Sequence, residues 1–275
     1  MNGTRCLLPL LFSLLAAKAG AQTSVSHIGI IETDYSRARQ SGVQETDTRT
    51  VLATLFLTEV NHGSLPHSQA AFLARASSLT MAWADLDADF GVDGETGGDA
   101  ALVDAEYINL SHWLVGVAYS RFRLSRLSEQ ETHTLEFGRY LDDTSTIIGT
   151  YGFTEDRVAF VPDSHTHTWG IEYKNVIRHP TKTSSLTLDF KYQHINASAG
   201  TSNMIGARGE YHFTFATSIV AEADLTSGEA KEGVYTLGLT HYLSPFFAVG
   251  SEFSQNRPDQ QQHTNTLKVY ARLLF

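Results

Sequence analysis

"NTLKVYARLLF", residues 265–275, ends the chain on a two-residue alternation. Leu267, Val269, Ala271, Leu273 and Phe275 share one face, and Lys268, Tyr270 and Arg272 share the other. Chain ends are ordinarily polar and frayed; this one has the period of a strand with one apolar side. A strand at the very end of a chain leaves an open edge unless the sheet closes and pairs it with the first strand.

The same period runs back through the sequence. In "SSLTLDFKYQHIN", 184–196, Leu186, Leu188, Phe190 and Tyr192 oppose Thr187, Asp189, Lys191 and Gln193. In "HTHTWGIEYKNV", 165–176, Trp169, Ile171 and Tyr173 oppose Thr168, Gly170, Glu172 and Lys174. A soluble sandwich turns its polar face to bulk water, where glycine has no particular use. Here Gly116, Gly138, Gly170, Gly206, Gly238 and Gly250 all fall on the polar register. Small residues there suit a crowded barrel interior, and the apolar face then meets lipid.

Connections alternate too. "INLSHWLVGVAY", "RYLDDTSTIIG", "YHFTFATSIVA" and "HYLSPFFAVG" each read strand, tight turn, strand. Between them lie longer polar links: "DLDADFGVDGETGGDA", "RLSEQE", "EDRVAFVPDS", "TSGEAKEG" and "SQNRPDQQQH". Short turns on one rim and long loops on the other are the layout of a single-chain transmembrane barrel. Counting back from the C-terminus gives strands at 263–275, 246–256, 232–243, 217–225, 202–213, 184–195, 164–177, 145–155, 130–141, 113–124, 102–110, 70–86, 48–60 and 24–34. The predicted fold is all-β, an antiparallel up-and-down barrel of about fourteen strands, with twelve to sixteen compatible with the pattern. No segment reads as a long constriction loop.

At the other end, "MNGTR", the apolar "CLLPLLFSLLAA" and "KAGAQ" have the three-part layout of a secretory signal peptide. Cleavage is expected after Ala21, leaving 22–275 as one barrel domain. The single cysteine, Cys6, leaves with the signal, so no disulfide holds the mature chain. Arg5 and Lys18 leave as well, so 18 of the 20 basic residues face 30 acidic ones, a net charge of −12. That balance excludes nucleic acid as a partner.

No nucleophile-elbow motif accompanies the many serines and 12 histidines, so no enzyme and no cofactor are expected. His165 and His167, with His133 or His263, have metal-binding residue types but lack an acid or cysteine at ligand spacing. Asp85, Asp87, Asp89, Asp93 and Glu95 resemble a calcium loop loosely, with glycine one place late; a solvated outer loop is the simpler reading. The inward register collects Asp104, Glu106, Glu136, Glu172, Asp189, Glu210, Glu222, Asp224 and Glu252 against Lys174, Lys191, Arg208, Lys268 and Arg272. These are the pore-lining candidates, and their acidic excess predicts a weak cation preference in any channel they line.

"TLFLTEVNHGSLPHSQAAFLARASSLTMAW", 54–83, resembles the N-terminal block of the general bacterial porin family, with "HGSLP" departing from that family's "GPL"-like turn. "GRYLDDTSTIIGTYGF", "THYLSPFFAVGSEF" and "LKVYARLLF" are also similar to it. Phe275 resembles the C-terminal signature of outer-membrane proteins. The resemblance implies location in a bacterial outer membrane, among its lipids and lipopolysaccharide. It also implies assembly by the barrel-assembly machinery and passive diffusion of small hydrophilic solutes. The alternative is a closed barrel with a structural or surface-interaction role.

Overall fold

The computed structural model describes residues 26–40, 44–61, 66–89, 95–124, 128–159, 161–178, 184–228, 231–259 and 263–275. The signal segment and Asp93 lie outside them. Fourteen antiparallel strands close into one barrel. They are β1 Ser26–Gln40, β2 Gln44–Asn61, β3 Ser78–Asp89, β4 Glu95–Ile108, β5 Trp113–Leu124, β6 Ser128–Tyr140 and β7 Ser145–Val158. Then follow β8 Ser164–Arg178, β9 Ser185–Ala197, β10 Gly200–His212, β11 Thr217–Gly228, β12 Glu232–Ser244, β13 Phe247–Pro258 and β14 Thr264–Leu274. Every strand pairs with its chain neighbours, and β14 pairs with β1, so no edge remains.

The strand count matches the sequence pattern, but the limits differ. β1 runs to Gln40 and β2 starts at Gln44, where the alternation predicted ends at 34 and 48. β4 starts at Glu95 rather than 102, and β6 at Ser128 rather than 130. These extensions carry charge where the outward register is apolar elsewhere, so hydropathy does not mark them. Paired ions hold them instead: Arg37 Nε donates to Asp47 Oδ1 at 2.7 Å and Arg123 Nε to Glu129 Oε1 at 2.8 Å. Asp85, Asp87 and Asp89 are strand positions of β3, not a loop, and Arg49 lies 3.9 Å from Asp85 and 3.8 Å from Asp87.

Outward-facing residues explain where the wall sits. Val51, Met81, Val103, Val117, Leu135, Ile171, Leu237 and Val269 are exposed apolar side chains distributed around the barrel. Such a surface is intolerable in water and normal in lipid. Aromatic groups flank it. Near the rim holding the termini, Trp113 stacks on Phe137 at 5.0 Å, with Arg139 over the indole at 5.3 Å. Toward the far rim Tyr119 meets His133 at 5.1 Å, and Tyr151 meets Trp169 at 4.3 Å. Rings with a polar edge belong at both lipid–water boundaries. Leu237→Arg should therefore destabilise the barrel by about 2–4 kcal/mol, whereas Gln193→Arg on the inner face should change it little. Urea midpoints in lipid vesicles measure the difference.

On the inner face, glycine makes room for side chains that cross over it. A Cβ at Gly206 would strike the Lys191 and Asp224 side chains, and one at Gly250 would strike the Tyr270 ring. Gly206 and Gly250 thus leave room for neighbouring side chains to lie flat on the inner wall.

The segment between β2 and β3 overturns one expectation. Residues 70–86 read as a strand, yet only Ser78 onward is one. Before it come a 3-10 turn, His67–Gln69, and a single helical turn, α1, Ala70–Leu73. "AAFLARA" is built of good helix formers. Its small residues also alternate passably, which is why it imitates a strand.

Candidate functional site

Glu172, Lys174, Asp189, Lys191, Arg208, Glu210, Glu222, Glu252 and Arg272 border one internal cavity of about 430 Å³. β1 adds Glu32 and Asp34, which the sequence reading left out. They share the seam with β14: Arg272 Nη2 lies 2.6 Å from Glu32 Oε2, and Lys268 Nζ lies 3.6 Å from Asp34 Oδ2. Their signal was present as alternation in "IIETDYS", but the first strand had too few apolar neighbours to settle its register.

Charge pairing divides this lumen. Along β8–β11 the bases are matched: Lys191 Nζ reaches Asp224 Oδ2 at 2.9 Å and Glu222 Oε1 at 3.4 Å. Arg208 sits 3.7 Å from Glu222, and Lys174 sits 3.9 Å from Asp189. On β4, β6 and β8 the pattern changes. Asp104, Glu106, Glu136 and Glu172 form no ion pair among the described residues. Glu136 folds over Gly116, where an added Cβ would come within 2.9 Å of its carboxylate. The lumen therefore has an arc of carboxylates outside any ion pair, adjoining at β8 a wall of self-neutralised pairs.

The 66–77 segment enters this space. Its alanine face, Ala70 and Ala76, packs on Val60 and Phe56 of β2. Its polar side chains reach across. Gln69 Nε2 donates to Thr187 Oγ1 at 2.6 Å, and Ser185 Oγ donates to Gln69 Oε1 at 3.0 Å. β9 stands seven strands from β2 in a ring of fourteen, so these contacts join opposite walls. Phe72 lies against Tyr140, ring centroids 5.4 Å apart, and Lys174 Nζ sits 4.9 Å over the Phe72 ring. The Tyr140 hydroxyl donates to the Phe72 carbonyl at 3.1 Å. Arg75 donates to Asp143 Oδ1 at 2.6 Å in the β6–β7 turn and touches His112 in the β4–β5 turn. That β6–β7 turn is fixed from within. The Thr144 backbone N–H donates to Asp142 Oδ1 at 2.7 Å, which holds the Asp142 carboxyl below the ordinary carboxylate range. This contribution is present above the ordinary value and fades only as pH falls through the lowered one.

Ser68, His212 and Glu210 meet at the tip of the segment, a set of residues that suggests hydrolysis. Ser68 Oγ lies 3.3 Å from His212 Nε2, and Glu210 Oε1 lies 3.4 Å from the same nitrogen. A relay needs the acid on the other ring nitrogen, so that the base can face the serine alone. Glu210 Oε1 also accepts from Ser218 at 2.7 Å and from Ser68 at 3.4 Å. The group acts as an anchor for Ser68.

His165 and His167 point to the outer face of β8. His165 stacks on Phe153 at 5.6 Å, and His167 Nδ1 pairs with the Tyr151 hydroxyl at 2.9 Å. They belong to the far-rim aromatic group. No set of three or more potential ligands is placed to hold a metal among the described residues.

No protein-family model matches the sequence, and no curated protein matches it. Solved structures do. The Acinetobacter baumannii outer membrane protein Omp33 superposes with a TM-score of 0.61 at 16% identity, covering 91% of this chain and 99% of that one. A bacterial polysaccharide outer membrane secretin gives 0.55 at 9%, covering 91% and 99%. The closed wall, its lipid-facing apolar band and these superpositions together give the chain the fold of the outer-membrane β-barrels.

Proposed function

We propose that the protein is a porin, an outer-membrane channel through which small hydrophilic solutes and ions diffuse passively, with a modest preference for cations. One observation carries the reading: Asp104, Glu106, Glu136 and Glu172 lie on the inward register of β4, β6 and β8 without an ion pair among the described residues, and Glu172 borders the polar cavity. Uncompensated charge on a lumen wall raises the local concentration of counter-ions, and rings of carboxylates select cations. Adding Glu32 and Asp34 deepens the acidic excess, although both are tied to Arg272 and Lys268. No bond-making chemistry is needed. In this reading a signal peptide directs export, and both termini lie on the periplasmic side. The assembly machinery reads Phe275, and lipopolysaccharide meets the charged outward ends of β1–β7.

Purified protein in planar bilayers tests it. Discrete conductance steps are expected, with a reversal potential of cationic sign in a potassium chloride gradient. An anionic sign, or absence of steps both from folded, heat-modifiable wild type and from folded variants in which the 66–77 segment has lost its hold on the far wall, would refute the reading. A second reading, a closed barrel with a structural role, is favoured by the segment crossing the mouth.

A further inference from the structure

We infer that residues 66–77 are a gate: a crossbar seated in its shut position across the mouth on the rim that holds the termini, and displaceable without unfolding the wall. The inference rests on the channel reading above. Three features separate this segment from the wall. It contributes no strand to the sheet, so its removal from the lumen breaks no ladder. Its grip on the far wall consists of side-chain hydrogen bonds, Gln69 to Ser185 and Thr187 and Ser68 to Glu210 and His212. Its outer end is pegged at a solvent-facing point: the Asp143 side chain that accepts from Arg75 is 90% exposed.

Backbone conformation points the same way. Among the described residues Arg75 and His112 are the non-glycine ones at positive φ, 52° and 67°, and their side chains touch. Arg75 ends the helical turn and His112 closes the β4–β5 turn, so this contact joins two chain reversals and no rung of the ladder. Between the two grips Phe72 closes the gap, held by Tyr140 on one side and Lys174 on the other. The alanine face on β2 is the attachment that stays, because Ser77 is bonded into the wall through Ile108 and Leu57. Swinging about that attachment would connect the 430 Å³ cavity with the mouth.

The test is single-channel recording on two independently designed variants. Gln69→Ala with Phe72→Ala weakens the bar itself. Ser185→Ala with Thr187→Val leaves the bar's sequence intact and removes only its partners. Each removes about two hydrogen bonds or their equivalent, which shifts a shut–open balance by on the order of tenfold. Both should therefore raise the open fraction on that scale, with gel mobility before and after heating unchanged. If wild type and both variants conduct identically, the channel reading survives and the gate is wrong. If no folded variant conducts at all, the bar is not what blocks the lumen, and the channel reading fails with it.

Discussion

Replacing Phe275 by Asp should cut the amount of assembled barrel in cells several times more than it shifts the stability of barrel that has already folded. The last residue does two separable things. Its backbone adds the final rungs of the seam: the Phe275 N–H donates to the Gly29 carbonyl at 3.0 Å, and its carbonyl accepts from the N–H groups of Ile28 and Gly29 at 2.6 and 3.0 Å. Its ring lies over Gly29, where an added Cβ would come within 2.6 Å of the ring and 2.9 Å of the Thr54 carbonyl. The Asp variant keeps the backbone rungs. A carboxylate near a membrane boundary costs only about 0–1 kcal/mol. A larger loss in cells therefore reports recognition during assembly, as the C-terminal resemblance implies. Gly29→Leu is the contrasting variant. It should lower both readouts, because a carbonyl cannot move aside as a side chain can. Folded protein from outer-membrane fractions and urea midpoints of refolded protein give the two numbers. Equal cellular levels of wild type and Phe275→Asp would remove the assembly role.

The second large effect concerns selectivity. Glu106→Gln, Glu136→Gln and Glu172→Gln combined should bring the cation preference close to unity at 0.1 M salt. An unpaired carboxylate about 6 Å from an ion in a water-like dielectric is worth about 0.7 kcal/mol, near threefold in local cation concentration. Asp104 and Glu252 also lack an ion pair among the described residues, so a small residual preference should remain. Glu222→Gln with Asp224→Gln should do less, since both acids already face Lys191 and removing them exposes that cation. In 1 M salt the contrast should shrink, because the Debye length falls to about 3 Å. Reversal potentials at the two salt concentrations check this. A triple variant as cation-selective as wild type would show that ions pass along the paired wall instead.

How the sequence announced these features depends on what each one rests on. The wall was readable because lipid on one side and polar lumen on the other enforce a strict period of two, and a one-residue slip would invert it. Leu267 to Phe275, and Trp169 to Lys174, therefore fall on the faces their alternation assigns. The strand ends at Arg37, Asp85 and Glu129 were not readable. There the outward register turns from apolar to charged, and the pairing comes from ions that meet only across strands. Which carboxylates are free was also hidden: Glu136 and Glu222 look alike along the chain, and only the neighbouring strand decides that one has a lysine. The crossbar was the least legible part. Ala70, Phe72 and Ala74 imitate strand spacing, and a single helical turn is too short to show its own period.

The up-and-down strand order has a kinetic consequence at the seam. Each hairpin joins residues close in sequence, and such pairs form quickly. The β1–β14 pairing is different, since it joins Ile30 to Leu274. Closing a loop of that length carries an entropy cost of about 5 kcal/mol by the logarithmic law for flexible chains. The bonds of Glu32 with Arg272 and Lys268 lie on that junction, so the short 2.6 Å contact of Arg272 with Glu32 falls where closure is hardest. An open curl of hairpins that has not yet met its own beginning should then be the long-lived species on the folding route, and completion should arrive in one late, cooperative step.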